Sequence, residues 1–324
     1  MMDCLKMFTQ QSSLLLALSI VAVVPDAYSF SPVTLPRSRP AFARHYNSPD
    51  TMDAPAAIED SQLVPEETSL LTTSIRNDGV VITWEPKVAD EIRKKVEEHK
   101  ATRESPDQPF MIGVVGIPGS GKTTSCWTLA DMLTSGLDGK SKLPTMVMPF
   151  DGYHYSVDQL LTFENPDDVI YRRGAPDTFD PKSLESDLKR IRNGQENIVK
   201  IPGFDHAVGD PEPDAHTFNR NVHDVVICEG LYLFHDEDGW DSIMDQFDYS
   251  IFVKADVDTC VDRLKERNKC IPGYTPEEIE LRCDVVDRKN AMTVQRSSHR
   301  AAVAVTSAAF ANSDVEEEEE CQIF

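Results

Sequence analysis

The sequence predicts an α/β domain built on a mainly parallel sheet flanked by helices. Three observations carry that expectation. Short apolar runs recur at residues 110–115, 145–149, 222–228 and 249–253, the pattern of strands buried on both faces. Helical patterns fall between them at 124–133, 182–192 and 257–267, and such alternation implies parallel strands joined by helical crossovers. Two helix starts are also marked. Asp180-Pro181 offers an N-cap followed by proline, and Thr275-Pro276-Glu277-Glu278 adds a capping box.

Taken in order, the chain opens with segments that read as an address. An apolar run at 14–24, preceded by Lys6 and followed by Pro25, is shorter than the roughly 20 residues a membrane span needs. Ala27 and Ser29 then stand where a signal peptidase wants small residues, so 1–29 is expected to be a signal peptide. Residues 30–50 hold Arg37, Arg39 and Arg44, with several Ser and Pro, as a transit-like segment does. The pair resembles the two-part presequence of algae with secondary plastids, which implies delivery to a plastid. Plain secretion is the alternative. Residues 51–74 are acidic and rich in Thr, Ser, Ala and Pro, hence a disordered linker. A strand/helix extension is expected over 75–107, with Val88, Ile92 and Val96 on one helical face. The main domain then spans 108–307, and 308–324 form an acidic disordered tail.

Composition excludes some functions. The 324 residues carry a net charge of −23, from 55 acidic and 32 basic side chains. Such a surface repels polyanions, so nucleic acid is not an expected partner. Much of the acidity sits in blocks at 59–67 and 316–320, the signature of solvated chain. The seven cysteines form no CxxC pair and no zinc-spaced cluster with histidine. No stable membrane association is expected once the leader is removed.

Chemistry begins at Gly116-Ile117-Pro118-Gly119-Ser120-Gly121-Lys122-Thr123, which fills every position of GxxxxGK[ST] between a buried strand and a helix. Glycines there let backbone N–H groups wrap phosphate oxygens at a helix N-terminus. Lys122 is expected at the β/γ-phosphates and the Thr123 hydroxyl on Mg²⁺, with Thr124 next to them. The motif implies ATP and Mg²⁺ but not what becomes of the nucleotide.

Two more carboxylates stand at strand ends, where ligands bind in parallel sheets. Asp151, in Phe150-Asp151-Gly152-Tyr153-His154, is either a general base for a substrate hydroxyl or an ordinary Asp-Gly turn. Tyr153 and His154 beside it are candidate acceptor contacts. Glu229 ends Val225-Val226-Ile227-Cys228-Glu229 and either assists Mg²⁺ or is an exposed strand-end carboxylate.

These residues, in this order, resemble the uridine kinase, phosphoribulokinase and pantothenate kinase superfamily over about residues 110–290. The similarity is greatest to a little-characterised group of fructose-transport-kinase-like proteins. It is carried by Arg172-Arg173-Gly174-Ala175-Pro176-Asp177-Thr178-Phe179-Asp180 and by Pro202-Gly203-Phe204-Asp205-His206. The resemblance implies a P-loop kinase with a five-stranded sheet and a small helical lid, with a small-molecule hydroxyl as phosphate acceptor. It implies Asp151 as catalytic base, Glu229 assisting Mg²⁺, and Arg173, Asp180, Asp205 and His206 lining the acceptor pocket. It also implies that Arg263 and Arg267, four apart on one helix face, belong to the lid and close over the phosphates. Asn290 is carried over near the adenine on a looser match.

From the residues alone, Asp180 is equally explained as a helix N-cap, His206 as an exposed loop residue, Arg172 and Arg173 as a solvated pair, and Arg263 and Arg267 as surface ions. The acceptor segments differ from those of phosphoribulokinase and uridine kinase. A GTPase is disfavoured because Asn268-Lys269-Cys270-Ile271 lacks the aspartate that reads guanine. The remaining rival is a nucleotide-binding regulatory module with no acceptor, against which the presence of both Asp151 and Glu229 speaks. Cys126, four residues after Lys122, reads as a buried inert thiol rather than a redox switch. The terminal Cys321-Gln322-Ile323-Phe324 fits a prenylation box only formally, since acidic residues precede it.

Overall fold

The computed structural model describes residues 71–76, 79–84, 86–136, 140–206, 208–269 and 274–306. The expected leader, the acidic tail and its terminal cysteine lie outside these residues. Strand β1 (Leu71–Arg76) pairs antiparallel with β2 (Gly79–Trp84). β1 thus starts inside the stretch expected to be linker, whose polar Thr72, Thr73 and Ser74 hide a strand from a hydrophobicity reading. Helix α1 (Pro86–Thr102) buries Val88, Ile92 and Val96, as the period of four requires.

The rest alternates as expected. Strand β3 (Phe110–Gly116), buried throughout, leads to α2 (Lys122–Ser135). Arg93 of α1 donates to the carbonyls of Met132 and Leu133, satisfying acceptors that the last turn of α2 leaves open. Strand β4 (Thr145–Pro149) ends in a 3₁₀ turn, Phe150–Tyr153. Short helices α3 (Val157–Leu160) and α4 (Pro166–Tyr171) follow, then α5 (Pro181–Asn193). Next come β5 (Ile198–Asp205), β6 (Asp210–Asn219), β7 (Val225–Gly230) and β8 (Tyr249–Lys254). Helix α6 (Val257–Asn268) and helix α7 (Pro276–Arg282) lead through a π-helical turn, Cys283–Asp287, into α8 (Arg288–Arg296) and β9 (Val303–Thr306).

Five strands form one sheet in the order β4-β7-β3-β8-β9, and every pair is parallel. One apolar layer packs α1 and α2 on one face. The other, with Phe150, Phe179, Tyr232 and Trp240, lies under α5. The crossover order puts the ends of β3, β7 and β4 side by side, at one edge of the layer.

Two features bear on the site. The third strand runs to Gly230, so Glu229 lies within the ladder, opposite Val114 and Pro149. Residues 198–205 and 210–219 pair as an antiparallel hairpin, β5–β6, which the sequence had not announced, with His206 exposed at the turn as a loop residue would be. Pro202 sits where the register shifts between Ile201 and Gly203, a position that tolerates a residue without N–H.

Candidate active site

The loop between β3 and α2 is shaped by its glycines. Gly119 and Gly121 adopt φ of +78° and +79°, a left-handed conformation that side chains resist. A Cβ on Gly119 would also stand 2.7 Å from the Cys260 carbonyl of α6. No side chain caps α2, so its first N–H groups face the concave loop, the arrangement that binds phosphate.

Glu229 ties this loop to the sheet. The Thr123 hydroxyl donates to Glu229 Oε1 at 2.9 Å, and the Lys122 ammonium lies 3.7 Å from Oε2. Glu229 is 4% exposed. Burial pushes its carboxyl above the ordinary range, Lys122 opposes that shift, and Asp151 adds to it. Oε2 is buried and has no hydrogen bond among the described residues. A hydroxyl and a buried carboxylate with an open acceptor are hard oxygen donors of the kind Mg²⁺ takes, so Thr123 and Glu229 fit that ion.

Asp151 is the second residue of the 3₁₀ turn after β4, two residues beyond Pro149, which pairs with Glu229. Both sequence readings of it hold. Its carbonyl accepts the His154 backbone N–H at 3.1 Å and faces His154 Nδ1 at 2.8 Å, as in a turn. Its carboxylate makes no hydrogen bond to a described residue, which leaves it available to a ligand. Gly152 is required here, because a Cβ would fall 2.3 Å from the Pro202 carbonyl of the hairpin. His154 is packed between the rings of Phe179 and Phe204, at centroid distances of 3.9 and 4.9 Å. Burial lowers its pKa, with Asp151 opposing, so the imidazole is held towards its neutral form.

The other acceptor candidates divide. Tyr153 points away from the site: it is buried, and its hydroxyl donates to Asp187 of α5 at 2.9 Å. Asp180 caps α5, accepting the Ser183 N–H at 3.1 Å and the Ser183 hydroxyl at 2.6 Å. Arg173 is not a solvated surface ion: its two terminal nitrogens are engaged within the scaffold, while its buried Nε has no hydrogen bond among the described residues. Its guanidinium donates to the carbonyl of Gly209, to the Tyr155 carbonyl at 2.8 Å and to Asp210 Oδ1 at 2.8 Å, and it lies over the Phe204 ring. Arg172 is paired instead with Asp168 and Asp177. Asp205 organises the hairpin turn, accepting the Val208 N–H at 3.1 Å, and His206 is exposed beside Phe204.

On the nucleotide side, Arg263 Nη1 donates to the Gly119 carbonyl at 3.4 Å, so it borders the phosphate loop. Arg267, one turn further along α6, is exposed, and among the described residues it reaches Asn268 at 3.3 Å and no other. A spacing of four shares a face, but α6 meets the loop at one end only. Asn290 is buried in α8, and its amide nitrogen would lie 3.6 Å from a Cβ on Gly174, which puts it beside the Arg173–Gly174 turn. Cys126 is fully buried and burial pushes its thiol up, as befits an inert cysteine.

The family model described as Phosphoribulokinase / Uridine kinase family matches residues 111–311, well over half of the chain. The chain belongs to that family. A provisionally named uridine kinase of Schizosaccharomyces pombe is 30% identical over 195 residues, covering 59% of this chain and 80% of the yeast protein. A pantothenate kinase of Streptococcus pneumoniae is 35% identical over 158 residues, 48% of each chain. Among solved structures, a provisionally named fructose transport system kinase of Silicibacter sp. superposes with a TM-score of 0.56 at 26% identity. That superposition covers 67% of this chain and 98% of the other. This family member is therefore a kinase of the class that phosphorylates hydroxyl-bearing small molecules. Among the described residues no helix is long and apolar enough to cross a membrane.

Two residues of this kinase-family site escaped the sequence reading. The Tyr232 hydroxyl donates to the Gly174 carbonyl at 2.7 Å, joining the chain after β7 to the acceptor side. Arg282 donates to the Arg173 carbonyl at 2.8 Å and to Asp287 at 3.2 Å. Both act on backbone carbonyls far away in sequence, which no local pattern announces.

Proposed function

We propose that this protein transfers the γ-phosphoryl group of Mg-ATP to a hydroxyl of a small metabolite, a sugar, nucleoside or related compound. One observation carries the reading. Lys122, Thr123 and buried Glu229 converge at one strand end, while Asp151, its carboxylate uncommitted, stands at the next strand end two residues past Glu229's partner.

The chemistry follows from that arrangement. Loop N–H groups and Lys122 hold the phosphates, with Lys122 leaving Glu229 for the nucleotide. Thr123 and Glu229 would hold Mg²⁺, which when bound neutralises charge on the phosphates. Asp151 orients the acceptor hydroxyl and takes its proton as the hydroxyl oxygen bonds to the γ-phosphorus and the bond from that phosphorus to the bridging oxygen breaks, ADP leaving with that oxygen. Arg263, already on the loop, adds positive charge over the transferring group.

The test is ADP release with Mg-ATP and a panel of sugars, nucleosides, pantothenate and glycerate. Release that requires one acceptor and is lost in Asp151→Asn supports the proposal. Tight ATP binding without acceptor-dependent turnover would leave an acceptor outside the panel or the regulatory module. We further propose delivery to a plastid, tested by the destination of a fluorescent protein fused to residues 1–50; secretion of the fusion would refute it.

A further inference from the structure

The Arg173–Gly174 turn joins three parts of the molecule. Its Gly174 carbonyl takes the Tyr232 hydroxyl from the chain after β7, and its Arg173 carbonyl takes Arg282 from the end of α7. Its Arg173 side chain holds the hairpin at Gly209 and Asp210. Gly174 itself has a φ of +106°, so this turn presents its two carbonyls in a conformation that other residues resist.

From Arg282 contacts run both ways. Toward the acceptor, the Arg173 guanidinium lies 5.4 Å from the Phe204 centroid, Phe204 packs on His154, and His154 is bonded to Asp151. Toward the nucleotide, α7 packs on α6 through a buried cluster of Val261, Leu264, Ile279 and Cys283. Leu264 follows Arg263, which touches the phosphate loop, and a Cβ on Gly119 would lie 3.2 Å from Leu264. The π-helical turn lets Asp287 reach back five residues to fix the Arg282 guanidinium, whose side chain is 24% exposed. A guanidinium held by one carboxylate and aimed at one carbonyl 109 residues away is a cross-link between elements.

We infer that Arg282 is a positioning residue: through the Arg173 carbonyl it sets the acceptor hairpin β5–β6, so that nucleotide bound at the loop orders the acceptor side. The inference rests on the phosphoryl-transfer reading of the same site. Coupling of this kind is a free energy between two sites, carried here by packed and hydrogen-bonded residues in unbroken contact.

Hydrogen exchange tests it without knowledge of the acceptor. The full chain is compared with and without Mg²⁺ and a non-hydrolysable ATP analogue. Wild type should show slowed exchange at residues 116–123 and also at 198–219. Arg282→Met should keep the slowing at the loop and lose it at the hairpin, with a bound-to-free rate ratio there of about one. Asp287→Asn, which leaves Arg173 and the hairpin unaltered, should show the same loss in smaller degree and guards against a misfolded first variant. A hairpin that responds equally in wild type and both variants, or in none, overturns the inference while the kinase reading stands. No slowing at the loop in wild type removes the kinase reading and the inference with it.

Discussion

The two halves of the site are built differently. On the nucleotide side, the predicted residues face one another directly: Thr123 and Lys122 meet Glu229 across the ends of neighbouring strands. On the acceptor side, several predicted residues are already engaged in holding the scaffold. Arg173 pins the hairpin, Asp180 caps α5 and Tyr153 bonds Asp187. A phosphate is the same in every nucleotide, so its binding can be written into one contiguous loop. An acceptor must be met by a shape, and here the shape depends on contacts between distant segments. Mutations should accordingly abolish transfer at the nucleotide-side residues and at Asp151, whose carboxylate is uncommitted, and loosen structure at Arg173, Asp180 and Tyr153.

The largest effect should come from Asp151→Asn. Loss of a general base costs about 10²–10⁴-fold in turnover, while calorimetric affinity for Mg-ATP should persist, because no phosphate contact is assigned to Asp151. Equal loss of binding and turnover would erase the boundary between the halves.

Glu229→Gln sharpens the comparison by separating function from stability. Burial raises the Glu229 pKa above its unfolded value of about 4.5, despite Lys122. The carboxylate therefore favours the fold only while protonated, and that contribution is lost as pH rises through the folded pKa. At pH 7 the glutamine variant should melt higher than wild type, with the difference shrinking as the pH falls, and turnover should nearly vanish. A lower melting temperature at pH 7 would mean that the pair with Lys122 outweighs burial.

The arginines of α6 give a paired test. Arg263→Ala removes the one that borders the loop, and turnover should fall about 10²-fold, the usual cost of a donor to a transition-state oxygen. Arg267→Ala should leave turnover unchanged, since Arg267 is exposed and, among the described residues, bonded to Asn268 alone. Equal losses would mean that α6 moves far enough on nucleotide binding to bring both to the phosphates.

Legibility followed the same division. The sheet was readable because parallel strands buried on both faces are continuous apolar runs, and the loop because GxxxxGK[ST] is local. β1 was hidden by its threonines, and the hairpin by Pro202, Pro211 and Pro213, which mark loops in most contexts. The role of Arg173 was unreadable because its partners, Tyr155, Gly209 and Asp210, include two backbone carbonyls and come together only in the fold. Tyr153 adjoins a candidate base in sequence, but the 3₁₀ turn sends it to α5. For Asp180 the helix-cap signal was correct and local; the pocket role came from resemblance alone.

Asp180 supplies the smallest and most discriminating experiment. Its two bonds to Ser183 close the first turn of α5, which buries Leu184, Leu188 and Ile191 under the sheet. Asp180→Ala should cost about 1 kcal/mol, a fall of about 2–4 °C in melting temperature for a domain of this size. Asp180→Asn, which can still accept the Ser183 N–H, should recover most of that stability. If the residue only caps the helix, both variants keep the wild-type acceptor KM once measured well below their melting points. A raised KM in Asp180→Asn, with stability retained, would mean that the carboxylate meets the acceptor as well, and the scaffold on that side would double as the binding surface.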